Sequence, residues 1–179
     1  MSLSFKTAVI SGRQIESPIL YYDGYVYAGV YGGSKEKPAQ FACFDATKDS
    51  DGELAPTWTY SETVYHNRGG YLWSGPTIVG EAIVFTNTNG YITSLNRKTG
   101  EMIDTYLIPE DFQGGEQLTT TPYYYEKNQR LYVSTAGTYG GILGIKMNTD
   151  GSFNEEDVIS FLDTRTGTVS YTHLRAHET

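Results

Sequence analysis

Cysteine is almost absent from this chain: Cys43 is the single one among 179 residues. One thiol excludes an internal disulfide framework, a vicinal disulfide and any zinc site built on several cysteines. Basic residues are also scarce. Thirteen Lys and Arg stand against 21 Asp and Glu, giving a net charge of −8 and a pI near 4.8. Nucleic acid and anionic membrane surfaces both need a basic footprint, so neither is an expected partner. No apolar run approaches the roughly 18 residues of a membrane span. The opening Met1-Ser2-Leu3-Ser4-Phe5-Lys6 is too short in apolar residues for a signal peptide and reads as an internal start. Long helices are missing too. Glu110-Asp111-Phe112-Gln113 stops at Gly114-Gly115, and Asn154-Glu155-Glu156-Asp157 is one turn at most.

Glycine and tyrosine are plentiful, with 20 Gly, 16 Tyr and 7 Phe. Aromatic residues favour strands and glycine favours tight turns, so the composition points to an all-β protein. Self-similarity sharpens this. Pro18-Ile19-Leu20-Tyr21-Tyr22, Asp23-Gly24 and Tyr25-Val26-Tyr27-Ala28-Gly29 spell a β-hairpin. The same order returns in Pro76-Thr77-Ile78-Val79, Gly80-Glu81 and Ala82-Ile83-Val84-Phe85-Thr86. It returns again in Pro122-Tyr123-Tyr124-Tyr125, Lys127-Asn128 and Arg130-Leu131-Tyr132-Val133. Each hairpin is followed by a third apolar run, a polar turn and a fourth run. The fourth runs are Thr57–Tyr60, Met102–Tyr106 and Val158–Leu162. Four strands per unit predict antiparallel blades of a β-propeller. The prolines lie 58 and 46 residues apart, and insertions at Gly32–Pro38 and Lys48–Asp51 account for the longer interval.

The unit resembles the repeat of the PQQ-like (quinoprotein dehydrogenase-like) β-propellers over roughly residues 15–162. The clearest match runs through Gly75-Pro76, Ile83-Val84-Phe85, Asn89-Gly90-Tyr91-Ile92 and Leu95-Asn96-Arg97-Lys98-Thr99-Gly100-Glu101. The first unit keeps Asp45 and Trp58 of the pattern, and the third keeps Gly151. In the second, Asp104 stands near the usual Trp, a departure expected to weaken the docking of blades there. The resemblance implies blades at about 15–61, 74–109 and 119–162 within a fragment spanning 1–162. Three blades are fewer than the four to eight that close a propeller, so an incomplete propeller with two exposed apolar end faces is expected, and further blades of the parent chain with it. The tail 163–179, with His173 and His177, breaks the pattern and reads as non-native.

The stretch His66-Asn67-Arg68-Gly69-Gly70-Tyr71-Leu72-Trp73 links two blades, where propellers place ligand-facing loops. His66 and Arg68 could meet an anion, and Tyr71 and Trp73 could stack a ring or sugar. Against this stands a plain packing role for the two aromatics. Asp45, Asp49, Asp51 and Gly52 lack the later Glu of a calcium loop and read as a solvated insertion. Cys43 reads as a buried hydrophobe, and no Gly-x-Ser-x-Gly elbow occurs. No catalytic residue, metal ligand or cofactor contact is assigned.

Two functions compete. The favoured expectation is a non-enzymatic propeller module that binds or scaffolds a protein or glycan, outside the cell or at its surface as the resemblance implies. The alternative is a fragment of a PQQ-dependent dehydrogenase. Enzymes of that family use a vicinal cysteine pair or a stacking Trp, together with carboxylate and Asn metal ligands, and most of that set is missing here.

Overall fold

The computed structural model describes residues 6–7, 14–32, 38–48, 53–61, 70–112, 118–135 and 141–162. More than half of these build strands, and turns and linkers make up most of the rest. A short strand β1 (Lys6–Thr7) precedes a first sheet of β2 (Leu20–Tyr22), β3 (Tyr25–Gly29), β4 (Gln40–Asp45) and, after the short β5 (Glu53–Leu54), β6 (Trp58–Ser61). β5 pairs in parallel with β1. The second sheet is β7 (Thr77–Val79), β8 (Ala82–Thr86), β9 (Tyr91–Asn96) and β10 (Met102–Leu107). The third is β11 (Tyr123–Tyr125), β12 (Arg130–Thr135), β13 (Gly141–Met147) and β14 (Phe153–Leu162). Each sheet is an antiparallel meander in chain order, as the repeat predicts. Among the described residues, helix is confined to single 3-10 turns at Glu110–Phe112 and Glu126–Asn128.

The first hairpin of each sheet closes differently on the same register. Asp23 (φ 52) and Gly24 (φ 82) form a type I′ turn, whereas Gly80 (φ 59) with Glu81 gives the type II′ pattern. In the third sheet four residues form a 3-10 turn that ends on left-handed Gln129. Tyr22↔Tyr25, Val79↔Ala82 and Tyr125↔Arg130 are the resulting terminal pairs.

Register makes the three sheets comparable residue by residue. The ladders Leu20–Tyr27–Cys43–Trp58, Thr77–Val84–Ser94–Asp104 and Tyr123–Tyr132–Gly144–Ile159 occupy equivalent rows. Pro18 is therefore equivalent to Gly75 and Thr121, and Ile19 to Pro76 and Pro122. Matching the units by proline is one residue out of step in the first. The fourth strand of the third sheet also begins earlier than the pattern suggests, at Phe153. Asn154–Asp157 belongs to it through a bulge, with Val158 opposite Ile145 but Asn154 opposite Lys146.

The core lies between sheets. Tyr27, Phe41, Cys43 and Trp58 of the first sheet meet Ile83, Phe85 and Leu95 of the second, and Phe41 stacks on Phe85 with centroids 4.0 Å apart. From its other face, the second sheet turns Val84, Ile92 and Tyr106 onto Leu131, Val133, Leu143 and Ile145 of the third. Every residue of β8 is buried in consequence. Two faces remain. The one on the first sheet is buried over β3 and β4, with Ala28, Ala42 and Phe44 at 5%, 0% and 6% exposure, but leaves Ile19 and Tyr21 exposed at its β2 edge. The one on the third sheet exposes Tyr123, Tyr125, Ile159 and Phe161. Both end faces thus expose apolar side chains among the described residues, the third sheet's across β11 and β14 and the first sheet's at β2 alone.

A turn of each later sheet seats on the face before it. The Asn96–Gly100 turn rests on Trp58: the indole Nε1 and the Tyr27 hydroxyl both donate to the Arg97 carbonyl, at 3.1 and 3.2 Å. Gly100 has φ 74, and a Cβ there would lie 2.7 Å from the indole ring. The Asn148–Gly151 turn repeats this on the second sheet. Ser94 Oγ donates to the Gly151 carbonyl at 2.7 Å, and Asp104 Oδ2 accepts the Phe153 N–H at 2.8 Å. Asp104 thus does not weaken the docking by absence of an indole; its carboxylate binds the next sheet directly.

These contacts separate two glycines with positive φ. Gly80→Ala meets nothing within 4 Å and costs only the left-handed strain of about 1–2 kcal/mol. Gly100→Ala adds the collision with Trp58 and is expected to cost at least about 1 kcal/mol more. Urea unfolding of the two variants decides this, and equal losses would show that the turn is not closely seated.

Candidate functional site

The sheets are entered through linkers that repeat one polar clasp. Three positions before each first strand stands Ser17, Ser74 or Thr120. Ser17 Oγ accepts the Gly29 N–H and reaches the Gly29 carbonyl, both at 3.1 Å. Ser74 Oγ pairs with the Thr86 hydroxyl and donates to the Thr120 carbonyl at 3.0 Å. Thr120 Oγ1 pairs with Ser134 Oγ at 2.8 Å. Gly29, Thr86 and Ser134 are equivalent positions near the ends of the second strands.

The linkers converge on Gly75. Its N–H donates to Thr121 Oγ1 at 2.8 Å, and a Cβ there would lie 3.1 Å from both Pro18 and Thr121. β7 and β11 lie side by side below this point, so it marks the axial end of the arc. Around it Asn87, Thr88 and Asn89 are buried, with Asn87 Oδ1 accepting the N–H groups of Asn89 and Tyr91 at 2.9 and 3.1 Å. The lip is built from hydroxyls, amides and prolines. Among the described residues it can hydrogen-bond a neutral group but offers no charge.

The residues singled out from the sequence fall differently. Tyr71 is wholly buried, edge-on to Phe41 and Phe85 at 5.4 Å each. Its Cβ would lie 2.5 Å from a Cβ at Gly29, so only glycine fits there. Trp73 is 55% exposed and holds φ 56, an unusual left-handed conformation for a bulky residue. His66 and Arg68 lie outside the described residues, as do Asp49, Asp51 and the tail 163–179. The linker therefore sends one aromatic inward to the core and leaves the other at the surface.

Other candidates have plain roles. The Asp45 carboxylate caps its own turn through the Thr47 hydroxyl and N–H at 2.6 and 3.0 Å, and these bonds hold it below its ordinary value. Burial pushes the Cys43 thiol up to about 11, which removes it as a nucleophile at neutral pH. Burial likewise raises the Tyr27 phenol to about 12.

Sequence reasoning missed Arg97. It is 5% exposed, and its two terminal nitrogens reach Asp23 of the first sheet and Glu81 of the second at 3.1 Å each. The guanidinium also lies over the Tyr22 ring, 5.2 Å from its centroid. The signal was an Arg beside the turn of the best-matching unit, indistinguishable in sequence from a solvated turn residue.

The residues present can be tested against a quinone carrying carboxylates together with its metal ion. Among the described residues no group of three or more His, Cys, Asp or Glu could hold a metal. Both described arginines are committed to carboxylates, Arg97 to Asp23 and Glu81 and Arg130 to Asp157. The buried hydroxyls of Thr93 and Thr135, which have no partner among the described residues, are neutral and sit within strands. The donor set of the described residues does not fit that group.

Comparison with known proteins bears on the fold. No protein-family model matches the chain, and no curated protein sequence matches it. Solved structures do. A europium-containing methanol dehydrogenase is similar over 81% of this chain and 25% of its own length, with a TM-score of 0.58 at 16% identity. The quinohemoprotein alcohol dehydrogenase from Comamonas testosteroni is similar over 87% of this chain and 22% of its own, with a TM-score of 0.59 at 14% identity. The quinohemoprotein alcohol dehydrogenase ADHIIG from Pseudomonas putida HK5 gives 0.52 at 17% identity, over 74% of this chain and 25% of its own. This chain has the fold of an incomplete β-propeller of the PQQ-like type, and it spans about a quarter of the length of those proteins. The expectation of a non-enzymatic binding module is corrected by these likenesses, which fall on dehydrogenases and so favour the alternative. No helix among the described residues is long and apolar enough to cross a membrane.

The charges around Arg97 give a pH dependence. The Lys98 ammonium, and then the Arg97 guanidinium, hold the Glu81 carboxyl below its ordinary value. A carboxyl depressed in the fold stabilises it above the unfolded value of about 4.3 and loses that contribution as pH falls through the folded value. The urea midpoint should be flat from neutral pH to about 5 and fall below about 4. Glu81→Gln should make that acid limb shallower, and an unchanged limb would remove Glu81 from the account.

Proposed function

We propose that this chain is a propeller segment of a quinone-dependent alcohol dehydrogenase. One observation carries the reading: three sheets stacked in chain order match the dehydrogenases over 74–87% of this chain. The segment acts as propeller wall. Its polar lip around Gly75 closes one axial end, and the charged groups that would hold a quinone and a metal ion belong to the remainder of the longer protein. When bound, such a quinone takes up the electrons removed from an alcohol. The described residues position no proton and no metal for that step. Their part is to hold sheets at fixed spacing and to exclude water from between them. An extracellular or cell-surface site of action goes with this reading, since the resemblance implies it.

The test is made on the longer protein reconstituted with pyrroloquinoline quinone and Ca²⁺. Alcohol-dependent reduction of an artificial electron acceptor is expected, with no reduction when either addition is omitted. Ser74→Ala should lower the thermal midpoint of that protein by the loss of a buried hydrogen-bonding hydroxyl, about 0.5–1.5 kcal/mol, since the Thr86 hydroxyl keeps its own 3.3 Å bond to the Thr120 carbonyl. Absence of dye reduction with saturating quinone and metal, in a protein that melts cooperatively, would overturn the dehydrogenase reading.

A further inference from the structure

The open face of the third sheet carries Arg130, Tyr132 and Ser134 on β12, Ile142, Gly144 and Lys146 on β13, and Ile159 and Phe161 on β14. Phe161 is 61% exposed, the most exposed apolar side chain of this face. By register it is the same face that the first sheet turns to the second and the second to the third. In both of those interfaces a side chain of the face donates a hydrogen bond to a carbonyl in the next sheet's turn between third and fourth strands. Tyr27 and Trp58 serve Arg97, and Ser94 serves Gly151.

The third sheet holds the same device. Tyr132 occupies the row of Tyr27. Its hydroxyl oxygen accepts from Asn128 Nδ2 at 3.1 Å, which leaves its own proton to give. Gly144 takes the place of Cys43 and Ser94. Above it the Arg130 guanidinium donates to the Gly144 carbonyl at 2.8 Å and to Asp157 Oδ1 at 2.6 Å. The apolar rim with a central donor is thus kept, while an indole or carboxylate anchor is replaced by Ile159.

We infer that this face is the seat of a further four-stranded sheet of the same protein, whose turn between third and fourth strands places a backbone carbonyl on the Tyr132 hydroxyl. The inference rests on the chain being part of a longer propeller and not on what that protein oxidises. A head-to-tail second copy would have to seat on the opposite end face, where Ala28, Ala42 and Phe44 are already buried and the exposed apolar side chains are Ile19 and Tyr21 at the β2 edge. A second copy meeting face to face would bring no such turn to Tyr132.

The test introduces a thiol by Phe161→Cys in the 179-residue chain and in the longer protein, with native Cys43, which is buried, as internal control. Ile159→Cys serves as a second site should Phe161→Cys fail to fold by circular dichroism. The new thiol should react with a maleimide rapidly in the short chain and at least about tenfold more slowly in the longer protein. Equal rates in both would overturn the proposal. So would protection in the short chain that rises with its concentration alongside a dimer in sedimentation. Tyr132→Phe should lower the thermal midpoint of the longer protein by more than that of the short chain, and equal decrements would remove the hydroxyl from the interface. Since none of these readouts involves turnover, an inactive protein with a protected thiol would reject the dehydrogenase reading and leave this one standing.

Discussion

A thin sheet with apolar side chains on both surfaces cannot hide them by itself, and everything else in this molecule follows from how neighbours supply the cover. β8 states the problem in five residues: Ile83 and Phe85 face one way, Val84 the other, and all are buried. In a two-layer protein such a strand would leave one side in water. Here it is sandwiched, and the sheets on either side must sit at a common spacing for both surfaces to pack. Alternation along the strand, stacking of sheets and length of linkers are then one constraint seen at three scales.

Apolar contact alone does not fix where one sheet stops sliding over the next. The turns do. A carbonyl held by Tyr27 and Trp58 in one interface is matched by a carbonyl held by Ser94 in the other, and Asp104 adds an acceptor where the first sheet has an indole donor. Different side chains solve one geometric task within this chain, and the fold is shared with the dehydrogenases at 14–17% identity. Such likeness speaks to architecture; chemistry depends on side chains that this segment does not carry among its described residues.

Much of the architecture was legible because period-2 alternation and turn residues are local signals. Asp23-Gly24 announced a tight hairpin turn, and the β-branched and aromatic runs announced strands. Three things were not legible. Proline suggested a unit boundary, but the equivalent of Pro18 is Gly75, since the approach of three linkers and not the ring of proline sets that position. Asn154–Asp157 looked polar enough to be a turn, yet it lies within a bulged strand whose Asp157 binds Arg130. Tyr71 and Trp73, two residues apart in one polar-aromatic stretch, looked alike. The left-handed backbone at Trp73 and the bare Cα at Gly29, which receives Tyr71, separate them, and neither can be read without the fold.

Arg97 has one more implication. Packed hydrocarbon tolerates a few degrees of rotation at little cost, but a guanidinium gripped by a carboxylate from each of two sheets does not. The angular step from the first sheet to the second is therefore pinned by charge as well as by packing. That step sets how far the second sheet is turned from the first, so a buried cation, beside packing, helps to fix the curvature of the stack.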